Sequence, residues 1–279
     1  MQCAALVCCS DLRSKEDIET IEQIKAALNK SGCNVRKTKS LTVPENLPLF
    51  GARERAEELN SLFADKEITD IIDVSGGDLS NTLLPYLDFN IINGTSVSFW
   101  GYSDLTAIIN ALYAKTGKTS VLYNIRNILS EHSREQTELV EELLGKKKSL
   151  QSCIEGKFIN GSEMSGTVIG GNARCFLKLA GTEYFPDVNN KLLLLESLGG
   201  GEYRIASYLS QLKQLGVFNR INGIILGTFT ELQRSYSSDE VGELVMSFTD
   251  RNLPIFKTEQ IGHGSSSRAV VIGRKYSFS

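Results

Sequence analysis

Apolar and polar residues alternate in blocks along the first half of the chain, so strands and helices are predicted to follow one another. The strand-like apolar runs lie at residues 3–9, 68–74 and 95–100, and the helical patterns lie at residues 18–28, 52–65 and 105–112. Alternation of this kind predicts an α/β fold with a largely parallel sheet covered by helices on both faces.

The second half of the chain predicts a second unit of strands and helices. Its apolar runs are TVIGG, KLLLLES and INGIILGTF with short strands near 254–256 and 269–272, and its helical patterns lie at 173–179, 204–215 and 238–250. Between the halves, GKFINGSEMSG carries turn residues and little periodicity. We therefore place a domain boundary near 150–165, with one domain over residues 1–150 and another over 151–279.

Composition narrows the functional classes. A net charge of -3 over 279 residues gives no basic footprint, which argues against nucleic acid as a partner. No apolar run is long enough for a membrane span, and no Lys or Arg precedes the short N-terminal run, so a cytoplasmic location is expected. The 6 cysteines lack paired metal-ligand spacing and predict reduced thiols. With only 2 histidines, a His-rich metal site is excluded.

Ser103 is the first candidate for chemistry, because WGYSDLTAI places it between a predicted strand and a predicted helix. This is the setting of a nucleophile elbow, in which a tight turn exposes the hydroxyl at the carboxyl end of a strand. The positive end of the following helix would favour an anionic transition state there. Asp104 and Leu105 depart from the usual G-x-S-x-G pattern, and a Ser or Asp at a helix start is more often simply a cap.

A second junction between a strand and a turn, SGGD at 75–78, contains the glycine pair Gly76 and Gly77. Paired glycines let backbone N–H groups approach a ligand closely. An oxyanion hole needs two such donors, which the N–H groups of Gly77 and Asp104 could supply. A tight turn without a ligand would also explain the glycines, whereas the spacing of a phosphate loop is missing.

A carboxylate and an imidazole in the second half complete the candidate set. Glu196 ends a buried apolar run, where a charged side chain needs a partner. Active sites of open α/β sheets form at this end of the strands, although a simple salt bridge would also explain a carboxylate there. His263 lies between glycines in IGHGSSS and could act as a base or occupy a turn, whereas His132 lies on a polar stretch and is predicted at the surface. The order Ser103, Glu196, His263 is that of α/β-hydrolase triads.

Taken together, these segments resemble the LD-carboxypeptidase family of serine peptidases almost from end to end. The resemblance is carried by residues 52–72, 75–89, 101–117, 181–187, 192–205, 221–229 and 261–267. It implies an N-terminal α/β domain with the nucleophile, a smaller β-rich C-terminal domain with the Glu and His, a site at their interface, and a homodimer. Matched by motif, the implied triad is Ser103, Glu196 and His263, with no metal or organic cofactor.

The activity implied by the resemblance is hydrolysis of an amide near the carboxyl end of a small peptide. Ser75 stands where many members have Arg before the glycine pair, and Asn81 is typical of the immunity-peptidase branch. Arg204 and Arg268 are candidates to replace that carboxylate-binding Arg. We therefore favour a peptidyl-aminoacyl nucleotide or broad amide substrate. Alternatives are a murein tetrapeptide, an amidotransferase-like or esterase activity, and a binding protein without catalysis.

Overall fold

The computed structural model describes residues 2–11, 17–41, 51–145 and 154–279. Its first half contains β1 (Gln2–Val7), α1 (Ile18–Lys30), β2 (Cys33–Lys37), α2 (Ala52–Ala64), β3 (Asp70–Asp73), α3 (Phe89–Asn93), β4 (Ser98–Gly101), α4 (Thr106–Thr116), β5 (Ser120–Leu122) and α5 (Ser133–Leu144). Its second half contains β6 (Lys157–Asn160), β7 (Met164–Asn172), α6 (Ala173–Leu177), β8 (Lys191–Ser197), α7 (Glu202–Gln214), β9 (Gly223–Phe229), α8 (Ser238–Phe248), β10 (Ile255–Lys257), β11 (Val270–Ile272) and β12 (Lys275–Phe278).

The strands of the described residues form two six-stranded sheets, which confirms the α/β class. In the first sheet the order is β11-β5-β4-β3-β1-β2, in which β1 to β5 run parallel to one another and β11 is antiparallel to β5. In the second sheet the order is β12-β7-β8-β9-β10-β6, with β7 to β10 parallel and the two edge strands antiparallel. Parallel strands bring their carboxyl ends to the same end of the sheet, and binding sites of such sheets form there.

The chain crosses between the two sheets near its C-terminus. Strand β11 leaves the second half and pairs antiparallel with β5 of the first sheet, with Val270 opposite Leu122. The predicted boundary at 150/151 falls within residues 146–153, which lie outside the described ranges. A division of the chain by sequence position alone therefore does not separate the two sheets completely.

Helix α4 lies between the sheets and joins them. The side chain of Asn110 donates to Gly170 O at 2.9 Å and accepts from Gly170 N at 2.8 Å. One turn earlier, Thr106 Oγ1 accepts from Asn172 N at 3.1 Å. A Cβ on Gly171 would lie only 2.8 Å from Thr106 Oγ1, so a glycine is needed for this approach. The pairing of a buried amide with both backbone groups fixes β7 against the helix that starts beside Ser103.

Two further expectations concern the cysteines and the membrane. Cys3, Cys8, Cys9, Cys33 and Cys175 are buried and free, whereas Cys153 lies outside the described residues. Across the described ranges, every helix is too short or too polar to cross a lipid bilayer.

Candidate active site

The turn after β4 gives Ser103 an unusual backbone. Ser103 has a φ of 53°, in the left-handed region that non-glycine residues rarely adopt. The chain then folds back so tightly that a Cβ on Gly101 would lie 2.5 Å from the Cβ of Leu105. Residues 103–105 form a single 3₁₀ turn leading into α4. A strained turn between a strand and a helix is the geometry expected of a nucleophile elbow.

Glu196 and His263 form a close pair at the carboxyl end of β8. Glu196 is fully buried, and its Oε2 lies 2.8 Å from Nδ1 of His263. Because a carboxylate only accepts hydrogen bonds, Nδ1 carries the proton and Nε2 is the free, basic nitrogen. Among the buried side-chain atoms of the described chain, His263 Nε2 and Glu196 Oε1 are two that have no hydrogen-bond partner. The pair therefore presents an imidazole in the tautomer that a general base requires.

Glycines allow the loop carrying His263 to lie against the end of β9. Thr228 N donates to Ile261 O at 2.8 Å. A Cβ on Gly227 would lie 2.5 Å from Ile261 O, and a Cβ on Gly262 would lie 1.7 Å from Thr228 Oγ1. Any side chain at these two glycines would therefore push His263 away from Glu196.

Tyr102 connects the Ser103 turn to this pair. Its hydroxyl lies 3.4 Å from both Glu196 Oε2 and His263 Nδ1, and its ring centroid lies 4.7 Å from that of His263. Burial, and then the charge of Glu196, raises the pKa of Tyr102 well above its ordinary value, so the phenol keeps its proton and donates to the carboxylate. Sequence reasoning missed Tyr102, although its position directly before Ser103 was a signal.

Ser103 lies beside this cluster without bonding to it. Its side chain is half-buried and makes no hydrogen bond with any described residue, and the Nε2 of His263 is likewise free. The structure thus brings Glu196 and His263 together, and through Tyr102 brings them next to the Ser103 turn. The hydrogen bond between Ser103 and His263 stays a prediction.

The glycine-pair loop has the strained geometry of a close backbone approach. Gly77 has a φ of +130°, and a Cβ there would lie 2.0 Å from Cγ of Asp11. The neighbouring Gly76 accepts a hydrogen bond from Asp11 N at 3.3 Å through its carbonyl oxygen. Arg174 Nη2 donates to Gly77 O at 2.9 Å, whereas the Gly77 N–H has no partner in the described chain. A free backbone N–H of this kind, if it faces the Ser103 turn, is what an oxyanion hole needs.

Asp104, directly after Ser103, is a buried anchor. Its carboxylate accepts from Ser10 Oγ at 2.6 Å, from Ser80 N at 2.8 Å and from Lys178 Nζ at 2.5 Å. Burial alone would raise the pKa of Asp104, but the hydrogen bonds from Lys178, Ser10 and Ser80 outweigh it and lower that pKa. Asp104 is therefore an ionised, fixed support, and its own backbone N–H lies in the first turn of a helix, where donors lack intrahelical partners.

Arg204 and Arg268, the sequence candidates for binding a substrate carboxylate, stay predictions. Arg204 and Arg268 are exposed, and neither bonds to the glycine-pair loop or to the Glu–His pair. Arg174 reaches that loop instead, bonding Gly77 O and pairing with Asp78 while 38% of its side chain stays exposed. Sequence reasoning missed Arg174 because its position after β7 gives no sign of what lies opposite. In the described residues, no group of three or more His, Cys, Asp or Glu side chains could hold a metal ion.

Known proteins are similar to this chain in sequence and in fold. A probable murein peptide carboxypeptidase of Bacillus subtilis is 27% identical over 282 residues, covering 94% of this chain and 85% of the relative. The microcin C7 self-immunity protein MccF of Escherichia coli is 27% identical over 256 residues, covering 80% and 74%. A solved structure of MccF in complex with glutamyl sulfamoyl guanosine superposes with a TM-score of 0.88 at 23% identity, covering 99% of this chain and 92% of that one. The chain thus has the fold of MccF.

Family models identify the chain more closely. The LD-carboxypeptidase N-terminal domain matches residues 4–123, and the LD-carboxypeptidase C-terminal domain matches residues 165–278. The chain belongs to the LD-carboxypeptidase family, which confirms the resemblance seen in the sequence. It is accordingly a hydrolase of the peptidase class.

Proposed function

We propose that this protein is a serine peptidase that cleaves an amide near the carboxyl end of a small peptide substrate, with Ser103 as nucleophile. The observation that carries the proposal is the pair of His263 and buried Glu196, 2.8 Å apart, with the Nε2 of His263 left unpartnered. A histidine held in this tautomer beside a strained serine turn has the parts of an acyl-transfer site.

The reaction begins with proton transfer. His263 Nε2 takes the proton of Ser103 Oγ as that oxygen attacks the substrate carbonyl carbon. The imidazolium that forms is stabilised by Glu196, and Tyr102 holds the same carboxylate oxygen in place. The carbonyl oxygen becomes an oxyanion, which accepts hydrogen bonds from the N–H groups of Gly77 and Asp104.

The second half of the reaction returns the enzyme to its starting state. The imidazolium gives its proton to the leaving amine, and the acyl group stays on Ser103 as an ester. His263 then takes a proton from water as that water attacks the ester carbonyl. Breakdown of the second tetrahedral intermediate releases the carboxylic acid and returns the proton to Ser103.

For the substrate, we propose a peptidyl-aminoacyl nucleotide or a broader set of small amides. Ser75 offers no guanidinium before the glycine pair, so the site does not depend on a carboxylate clamp at that position. The relative MccF is named as a self-immunity protein and has been solved with a sulfamoyl nucleoside, which agrees with such a substrate.

A murein tetrapeptide is the second candidate, and one observation favours it. Arg174 is partly exposed at the loop of the proposed oxyanion donor, where a free terminal carboxylate could pair with it. The Bacillus subtilis relative is named as a probable murein peptide carboxypeptidase.

Two measurements test the proposal. A fluorophosphonate should label Ser103. Labelling should disappear in Ser103→Ala but persist in Ser98→Ala, which removes a hydroxyl from the strand that leads to Ser103. To identify the substrate, a murein tetrapeptide ending in D-Ala and a peptidyl-sulfamoyl adenosine are offered together, and their kcat/KM values are compared. A kcat/KM that favours the tetrapeptide by about a hundredfold, or about 2.7 kcal/mol, would reverse our substrate assignment.

A further inference from the structure

Lys178 reaches from the second half of the chain into the site formed by the first half. It follows α6 directly, and its Nζ donates to Asp78 O at 2.8 Å and to Asp104 Oδ1 at 2.5 Å. Only 16% of its side chain is exposed, and its carboxylate partner is fully buried. A solvated lysine at the end of a helix would make neither contact.

The two groups that Lys178 bonds are the immediate neighbours of the proposed active-site residues. Asp104 follows the nucleophile Ser103, and Asp78 follows Gly77. One ammonium group therefore joins the two backbone segments whose N–H groups would hold the oxyanion. Ser10 and Ser80 bind the same Asp104 carboxylate from the first half, so Lys178 is the part of this anchor that comes across the interface.

Arg174 supports the same loop from one helical turn earlier. It donates to Gly77 O and pairs with Asp78, so both cations of this helix hold the glycine-pair loop from one side. On the other side, Asp11 packs against Gly77 and accepts from Asp78 N at 2.8 Å. The loop is thus fixed from both halves of the molecule.

We propose that Lys178 is a positioning residue that sets the distance between the two oxyanion donors, an inference that rests on the proposed function. Its Nζ bonds protein oxygens of the loop and of Asp104, so it acts through these groups. Two correctly aimed donors matter only when negative charge develops on the carbonyl oxygen. Loss of Lys178 should therefore slow the chemical step and leave ground-state binding almost unchanged.

The experiment measures inactivation by a fluorophosphonate, whose phosphoryl oxygen develops charge in the same place. Lys178→Met keeps most of the side-chain volume and removes the ammonium. We expect kinact to fall by about a hundredfold, as displacement of a catalytic group by about 1 Å can cost that much, with KI changed by less than about threefold. Lys115→Met, which removes a surface ion pair with Glu183, is the matched control and should behave like the wild type.

Lys178→Arg separates positioning from simple charge balance. An arginine keeps a cation beside the buried Asp104 carboxylate, so the protein should fold and its melting temperature should stay near that of the wild type. The planar guanidinium differs in length and donor geometry, so kinact should still fall by about tenfold or more. A wild-type kinact in folded Lys178→Arg, or in Lys178→Met, would overturn the inference while Ser103 labelling still supports the proposed function. Absence of labelling in the wild type would overturn both.

Discussion

Replacing Glu196 by glutamine should separate what the carboxylate does for catalysis from what it does for stability. Glu196 is fully buried, its Oε2 faces His263 and Tyr102, and its Oε1 has no partner among the described residues. Glutamine has the same shape and loses the charge. The substitution therefore tests the charge without creating a cavity.

The expected size of the effect follows from these contacts. Since the protonated Tyr102 donates toward the same oxygen that faces His263, the amide oxygen should take that position, and the tautomer of His263 should largely survive. What is lost is stabilisation of the imidazolium in the transition state. We expect kcat/KM to fall by about a hundredfold, or about 2.7 kcal/mol, which is less than the loss from Ser103→Ala. Because a half-satisfied buried carboxylate is itself costly, the free energy of unfolding should stay within about 1 kcal/mol of the wild type or rise.

The assay measures kcat/KM for hydrolysis of a peptide amide, together with fluorophosphonate inactivation kinetics and thermal unfolding. Glu183→Gln, which neutralises an exposed carboxylate paired with Lys115, is the control for loss of one negative charge. Activity of Glu196→Gln within about threefold of the wild type would refute the role of Glu196 beside His263. A loss of more than about 3 kcal/mol of stability would show instead that the carboxylate is needed for folding.

Three other changes have defined outcomes. Hydrogen bonds hold the pKa of Asp104 below its ordinary value, so its contribution to stability is present above that value and is lost as pH falls below it. Asp104→Asn should therefore flatten the decline in melting temperature below about pH 4. Gly77→Ala should destabilise by about 2–3 kcal/mol through the clash with Asp11, whereas Gly181→Ala, with a positive φ but open space, should cost about 1 kcal/mol. Ser103→Gly should unfold at a higher temperature than Ser103→Ala, because glycine relieves the positive φ.

Much of the fold could be predicted because its strands are apolar and its helices have regular spacing. The runs at 68–74 and 95–100 became β3 and β4, and KLLLLES became β8. Strands β2 and β5 were missed, since they have only 5 and 3 residues and carry little pattern. The pairing of β11 with the first sheet was also beyond prediction, because a run of 3 apolar residues does not specify its partner strand.

The residues of the candidate site likewise differ in how far local sequence patterns indicate them. Ser103, Glu196 and His263 could be proposed from the sequence because each ends or follows a strand in a local pattern typical of catalytic residues. Lys178 was missed, since a lysine after a short helix is typical of a solvated surface. Its role depends on a contact with Asp104, 74 residues earlier in the chain, and no local pattern records such a contact.

The division of the site between two sheets explains why so many buried polar contacts cross between them. The turn that carries the proposed nucleophile belongs to the first sheet and the Glu196–His263 pair to the second, so a small shift of one sheet against the other would separate these groups. Asn110 of α4 bonds both backbone groups of Gly170. Lys178 bonds Asp104, which lies in the turn that leads into the same helix. Polar contacts have directional geometry that apolar packing lacks, and leaving any of them unpaired is costly. A sliding motion between the sheets would break several of these contacts at once, so the interface holds the proposed oxyanion donors, base and nucleophile in fixed relative positions.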